Sequence, residues 1–242
     1  MIASRTIAVV IPCHNEERLI ERTLGRVPPN VDVVVVVDDG SVDRTFAVAS
    51  AWARTDPRVR LVRLGHNRGV GGAIVEGYRR ARACTVDIAV VMAGDDQMDP
   101  ADLPVLVAPI VSGRADYVKG NRLAHPEARR MPLVRRTGSH VLGRITALAA
   151  GLDRLDDAQC GYTAVRLEVL DRIPLEDVFP RYGYPNDLIL RLAAAGARIA
   201  EAPVRPVYAD EVSGLALHRV VVPISNILLR GAARRAGLLS DQ

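Results

Sequence analysis

Lysine, aromatic residues and cysteine are all scarce in this sequence of 242 residues. Lys119 is its one lysine, within a Lys plus Arg total of 32, so arginine carries nearly all the positive charge. Arginine suits bidentate recognition of phosphate, but genomic base composition produces the same bias, so the count assigns no site. Aromatic residues make up 4%, which argues against single-strand nucleic acid, whose bases stack on rings. The formal net charge of +4 is too small to point to nucleic acid either. Cys13, Cys84 and Cys160 are odd in number and far apart, with no Cys-x-x-Cys pair. They indicate neither a zinc site nor a disulfide framework, and with no secretory signal pattern the expectation is a cytoplasmic protein. The longest apolar run near the C-terminus, Val220 to Leu229, is broken by Pro223 and falls short of the ~20 residues that span a bilayer.

Hydrophobic residues are abundant at 49%, enough for one large core, and they fall into an alternating pattern. Thr6 to Ile11 reads as a strand and Asn15 to Val27 as a helix. Val33 to Val37 is five consecutive valines, which a strand buried on both faces explains. A helix over Asp43 to Ala53, a strand over Arg60 to Leu64, a helix over Val70 to Ala83 and a strand over Asp87 to Met92 follow. This order predicts an α/β fold with a mostly parallel sheet and helices on both faces, with ligands beyond the carboxyl ends of the strands. Later segments predict helices over 102–111, 138–150, 185–195 and 220–236 and strands over 116–119 and 161–165. Residues 123–135 read as a loop, and 198–208 as an extended, proline-containing edge.

Polar clusters stand at the expected strand ends. Pro12-Cys13-His14-Asn15-Glu16-Glu17 follows the first strand, and its glutamates suit hydroxyls or a base edge rather than a phosphate. Asn15 also reads as a helix cap. Asp38-Asp39-Gly40-Ser41 follows the valine strand and can accept bonds from a ribose or a base, with Asp43 as a further cap. In Asn67-Arg68-Gly69-Val70-Gly71-Gly72 the glycines permit close backbone approach, and Arg68 can reach a diphosphate. Gly94-Asp95-Asp96-Gln97-Met98-Asp99-Pro100 places three carboxylates within five residues, an arrangement costly through repulsion that a divalent cation would relieve.

These four clusters, in this order, resemble the inverting family-2 glycosyltransferases with the GT-A fold, over residues 6 to about 215. The resemblance implies a GT-A, Rossmann-like α/β/α sandwich over 1–215, with a nucleotide half (1–100), an acceptor half (101–215) and a C-terminal helical segment (216–242). It implies that Pro12, Asn15, Glu17, Asp39 and Asp95 hold a nucleoside-diphosphate sugar and a Mg²⁺ or Mn²⁺ ion, with Asp95 and Gln97 as the retained metal positions. Arg68 and Gly69 join the donor set from their own chemistry. The family's first metal-motif aspartate is replaced by Ala93, which leaves open a catalytically silent sugar-nucleotide-binding module.

The second half resembles the polyprenyl-phosphate subgroup, through Lys119-Gly120-Asn121-Arg122, Arg135-Arg136-Thr137-Gly138-Ser139 and Asp157-Ala158-Gln159-Cys160-Gly161-Tyr162. That likeness implies acceptor-phosphate contacts from Arg122, Arg135, Arg136 and Ser139, a base at Asp187 in Tyr184-Pro185-Asn186-Asp187, and a late loop over Tyr208 to Leu215. The acceptor is expected to be a polyprenyl phosphate or a soluble small molecule. The arginine-ended C-terminal helix is expected to be able to lie on an anionic membrane face.

Overall fold

The computed structural model describes residues 2, 4–207 and 217–238. Seven strands form one sheet in the order β3-β2-β1-β4-β6-β5-β7. β1 (Ile7–Cys13), β2 (Val33–Asp38), β3 (Val59–Arg63) and β4 (Ile88–Val91) run parallel. β6 (Thr163–Arg166) is antiparallel to β4 and to β5 (Tyr117–Asn121), while β7 (Ile199–Pro203) is parallel to β5. The carboxyl ends of β1, β2, β4, β5 and β7 and the start of β6 therefore share one edge. The valine run is the physical reason for the left half: Val34 to Val37 are all buried, and alternate members feed the cores on the two faces.

One core, carrying α1 (Ile20–Gly25), α2 (Thr45–Thr55) and α4 (Leu103–Val111), lies on one face of the sheet. The other carries α3 (Val70–Ala83), α5 (Leu133–Ala150) and α6 (Tyr184–Ala194). α7 (Leu217–Arg235) packs on α5 and α6 through Ile224 and Leu228. Among the described residues no helix is long and apolar enough to cross a membrane. β7 forms a sheet edge, as the proline-containing run 198–208 predicts.

Three boundaries differ from the sequence reading. The first helix starts at Ile20, not Asn15, because Asn15 adopts a left-handed backbone (φ 57°) and residues 15–17 bond to the next loop instead. α5 begins at Leu133, five residues before the predicted start, with Pro132 fixing the entry. The predicted loop before it contains a short 3-10 turn over Pro126–Arg130. The Tyr208 to Leu215 segment lies outside the described residues.

Gly77 shows how tightly the α3 layer rests on β1, since a Cβ there would collide with Cγ1 of Val10. Gly77→Ala is expected to lower stability by about 1–3 kcal/mol, measured by urea unfolding. An unchanged midpoint would mean that this packing does not hold in solution.

Candidate active site

The loops after β1 and β2 are bonded to each other, and polar side chains do the joining. The Asn15 Oδ1 accepts from the Val42 amide at 3.0 Å, and the Asn15 amide donates to the Ser41 hydroxyl at 3.0 Å. Glu17 accepts from the Arg44 amide at 3.0 Å, and the Glu16 amide donates to Thr45 Oγ1 at 2.7 Å. Asp43 accepts from the Thr45 amide at 2.9 Å, a helix-entry bond of the kind its position predicted. Pro12 is buried in β1 opposite Val37. Burial, with Asp38 next in effect, pushes the Cys13 thiol well above its ordinary range, so it is no thiolate nucleophile.

Asp39 organises the next loop. It is 3% exposed, and its two oxygens accept from the amides of Arg68 (2.7 Å) and Gly69 (2.8 Å). Its own amide donates to the Cys13 carbonyl at 2.9 Å. Gly69 (φ 85°) is thus a junction, and the Arg68 side chain stays exposed. The amides of Gly71 and Gly72 donate to the Pro180 carbonyl at 2.8 and 3.2 Å, so the start of α3 is closed by residues 179–183 rather than open to a phosphate. Asp187 holds that segment: its Oδ2 accepts from the Phe179 amide at 2.8 Å and from Arg191 Nε at 2.9 Å.

The acid-rich turn after β4 is less repulsive than its sequence suggests. Asp96 (φ 55°) is 8% exposed and pairs with Arg22 at 2.5 Å and Arg26 at 2.8 Å. Asp99 pairs with Arg26 at 3.3 Å and Arg205 at 2.7 Å. Two of the three carboxylates are therefore neutralised by arginines, and the argument for a cation from mutual repulsion is corrected. Asp95 is half-buried, and its Oδ1 accepts from the Gln97 amide at 3.1 Å. No group of three His, Cys, Asp or Glu side chains among the described residues converges as a cation cage. The chemistry still fits a hard cation of the kind that binds one or two carboxylates and takes its other ligands from substrate phosphates.

Across the same edge, Arg122 follows β5 and grips Asp157 with Nε at 2.7 Å and Nη2 at 2.9 Å. Asp157 is wholly buried, and its amide and that of Asp156 donate to Glu201 Oε1, each at 3.0 Å. His140 lies 3.4 Å from Asp156, which brings the second turn of α5 to this loop. Arg135 and Arg136 are exposed in the first turn of α5, and Ser139 is half-buried one turn later. Asn186 is fully buried, accepting from Gln159 and donating to Thr146 at 2.7 Å.

A strand-end edge with an acidic turn on one side and arginines on the other has clear relatives. Residues 8–173 match the model of Glycosyl transferase family 2. The chain belongs to that family. It is 32% identical over 242 residues to undecaprenyl-phosphate mannosyltransferase of Micrococcus luteus, covering 96% of this chain and 97% of that protein. It is 28% identical over 223 residues to UDP-N-acetylglucosamine–dolichyl-phosphate N-acetylglucosaminyltransferase of Methanococcus voltae, covering 86% and 88%. Its fold matches glucosyl-3-phosphoglycerate synthase of Mycobacterium tuberculosis, solved with Mn²⁺, UDP-glucose and phosphoglyceric acid. That match has a TM-score of 0.67, 25% identity, and covers 99% of this chain and 82% of that one. The family-2 membership and the GT-A architecture expected from the motifs are thus both found.

The residues that reading by motif missed are the partners Arg22, Arg26, Arg205 and Glu201, while Asp157 stood in a motif without a role. Arg22 and Arg26 carried a signal, since i and i+4 share one helix face, but nothing local named the turn they meet. If Asp96 is a structural acid, Asp96→Asn should cost about 1 kcal/mol. Combined with Arg26→Ala, the loss should be less than additive in urea unfolding. Additive losses would dissolve the pairing.

Proposed function

We propose that this protein is an inverting hexosyltransferase that moves a sugar from GDP-mannose or a UDP-hexose to a polyprenyl phosphate. The observation that carries the lipid half of this reading is the surface of α5 and α7. Leu133, Val134, Val141 and Leu148 on α5 and Val221, Val222 and Leu229 on α7 are exposed apolar residues on two helices that pack together. Arg135, Arg136, Arg230, Arg234 and Arg235 share those helices. An apolar face with arginines suits an anionic membrane surface, where a polyprenyl phosphate is presented. Membrane contact of this kind is peripheral, on the cytoplasmic face. The two polyprenyl- and dolichyl-phosphate relatives support the same acceptor class.

In this reading residues 1–100 bind the donor, 101–215 the acceptor, and 216–242 the membrane. Pro12, Asn15, Glu17, Asp39, Arg68 and Gly69 form the donor's rim, with Asp39 acting through the turn it holds. Asp95 and Gln97 are the residues that would hold Mg²⁺ or Mn²⁺. Such an ion supplies Lewis-acid stabilisation of the departing diphosphate. Arg122, Arg135, Arg136 and Ser139 gather the acceptor phosphate and offset the charge of bringing two anions together. A phosphate monoester is already largely ionised at neutral pH, its second pKa being about 6. Asp187 then contributes mainly by orienting groups around residues 179–183, and proton removal matters only for a hydroxyl acceptor.

A second reading, transfer to the hydroxyl of a soluble phosphorylated acid, draws support from the likeness to the phosphoglycerate-binding synthase. A transfer assay separates the two: a panel of GDP- and UDP-sugars with Mn²⁺, offered a short polyprenyl phosphate or 3-phosphoglycerate. Turnover with the polyprenyl phosphate is expected, with kcat/KM falling about 100-fold or more in Asp95→Asn and only mildly in Asp187→Asn. Transfer to 3-phosphoglycerate alone would favour the second reading. Donor binding without turnover on either acceptor would overturn both in favour of a silent binding module.

A further inference from the structure

The chain's one lysine is fully buried. Lys119 lies on β5, in register with Thr163 of β6 and Glu201 of β7, so the three side chains leave the same face of the sheet. Its Nζ has no hydrogen-bond partner. A buried ammonium without partners costs several kcal/mol unless fields from nearby charges offset it, and the surroundings supply that field. Asp157 is wholly buried on the loop above, Glu201 is on the adjacent strand, and Arg122 closes the cluster immediately after β5. The Cys160 thiol is on the same loop as Asp157, beside Gly120 on the opposite face of β5. Farther into the core on the lysine's own face stand the hydroxyls of Tyr117 on β5, Tyr78 on α3 and Tyr184 on α6, all fully or nearly buried.

Charge counting gives the cluster its meaning. Arg122 and Lys119 contribute +2, and Asp157 and Glu201 contribute −2. Without Lys119 the cluster is negative by one, and the arginine that grips Asp157 would present a net anionic patch to the solvent edge. We propose that Lys119 is a positioning residue whose buried ammonium balances Asp157 and Glu201, leaving Arg122 able to attract the acceptor's phosphate. This rests on the reading of Arg122 as an acceptor-phosphate group. Arginine in the same place would carry a larger, planar head into a packed core, which gives a reason for lysine at this one position.

Burial holds the Lys119 ammonium down, to about 8. The charge balance therefore fails as pH rises past that value, while the acceptor phosphate, with its second pKa at about 6, no longer titrates. Glu201 supplies the converse substitution, because both loop amides donate to its Oε1, and a glutamine oxygen can accept both bonds.

The test is the acceptor KM for a ten-carbon polyprenyl phosphate between pH 7 and 9.5, using the donor found active in the sugar-nucleotide panel. In the wild type KM is expected to climb as pH passes 8. Lys119→Met should raise KM about three- to tenfold at pH 7, as for one unit charge close by in a partly screened site, and abolish the pH dependence. Its kcat and donor KM should stay near wild type. Lys119→Met/Glu201→Gln should restore the low KM, which a purely packing role for Lys119 would not produce.

An unchanged acceptor KM in Lys119→Met, or a raised one that Glu201→Gln fails to restore, overturns the inference. Arg122→Ala separates this failure from that of the parent reading. Where Arg122→Ala raises KM and Lys119→Met does not, the inference falls alone. Where Arg122→Ala has no effect, the acceptor reading falls and the inference with it.

A second measurement needs no catalysis. The unfolded chain keeps the lysine proton up to about pH 10.5, while the folded chain releases it near 8. Wild-type stability should rise between those values, by linkage, and the rise should be missing in Lys119→Met. No difference between the two curves would overturn the buried-charge account.

Discussion

The Asp39 carboxylate is the constraint on which this polar edge of the sheet depends. Its oxygens bind two successive amides of the 67–69 turn, and its own amide binds the end of β1. One buried residue, through its carboxylate and its amide, thereby ties the end of β1, the loop after β2 and the 67–69 turn together. A buried carboxylate that accepts backbone bonds in this way is stable because each lone pair used replaces a water. Asn15, Glu17 and Ser41 extend the same device, tying the loops after β1 and β2 by side-chain-to-backbone bonds. The polar edge is therefore built before any ligand arrives, and preorganised groups lose little entropy on binding.

The acidic turn follows the same economy of charge. Asp96 and Asp99 each meet arginines from distant parts of the chain, one set on α1 and one just after β7. Arg205 also reaches Glu127, and its amide donates to Asp102. These pairs hold the turn against the rest of the edge, so Asp95 is presented at a fixed place on it. The cluster of Arg122, Asp157, Glu201 and Lys119 repeats the pattern with buried members.

Much of this was legible in the sequence, and the parts that were not share a cause. The valine run declared β2, and the alternation of strand and helix declared the parallel half, because those signals are local and periodic. The four polar clusters declared the edge and the family. The extent of α1 was overread because Asn15, Glu16 and Glu17 look like a helix entry. Their bonds go instead to Ser41, Arg44 and Thr45, more than 20 residues away. The repulsion assigned to the acid turn was likewise a local inference that non-local arginines cancel. Lys119 was visible as a motif residue, but its complete burial depends on the pairing of β5 with β6 and β7, which no local pattern encodes. The family likeness implied a base at Asp187, and the structure adds that it holds Phe179 and Arg191.

The central claim is that Asp95 meets a cation shared with the donor's diphosphate. The direct measurement is a crystal structure with Mn²⁺ and the nucleoside diphosphate of the active donor, with the ion located by its anomalous scattering. The account predicts a manganese peak within coordination distance of an Asp95 oxygen and of a diphosphate oxygen. A diphosphate bound away from residues 93–99, or a manganese ion with no contact to Asp95, would contradict it.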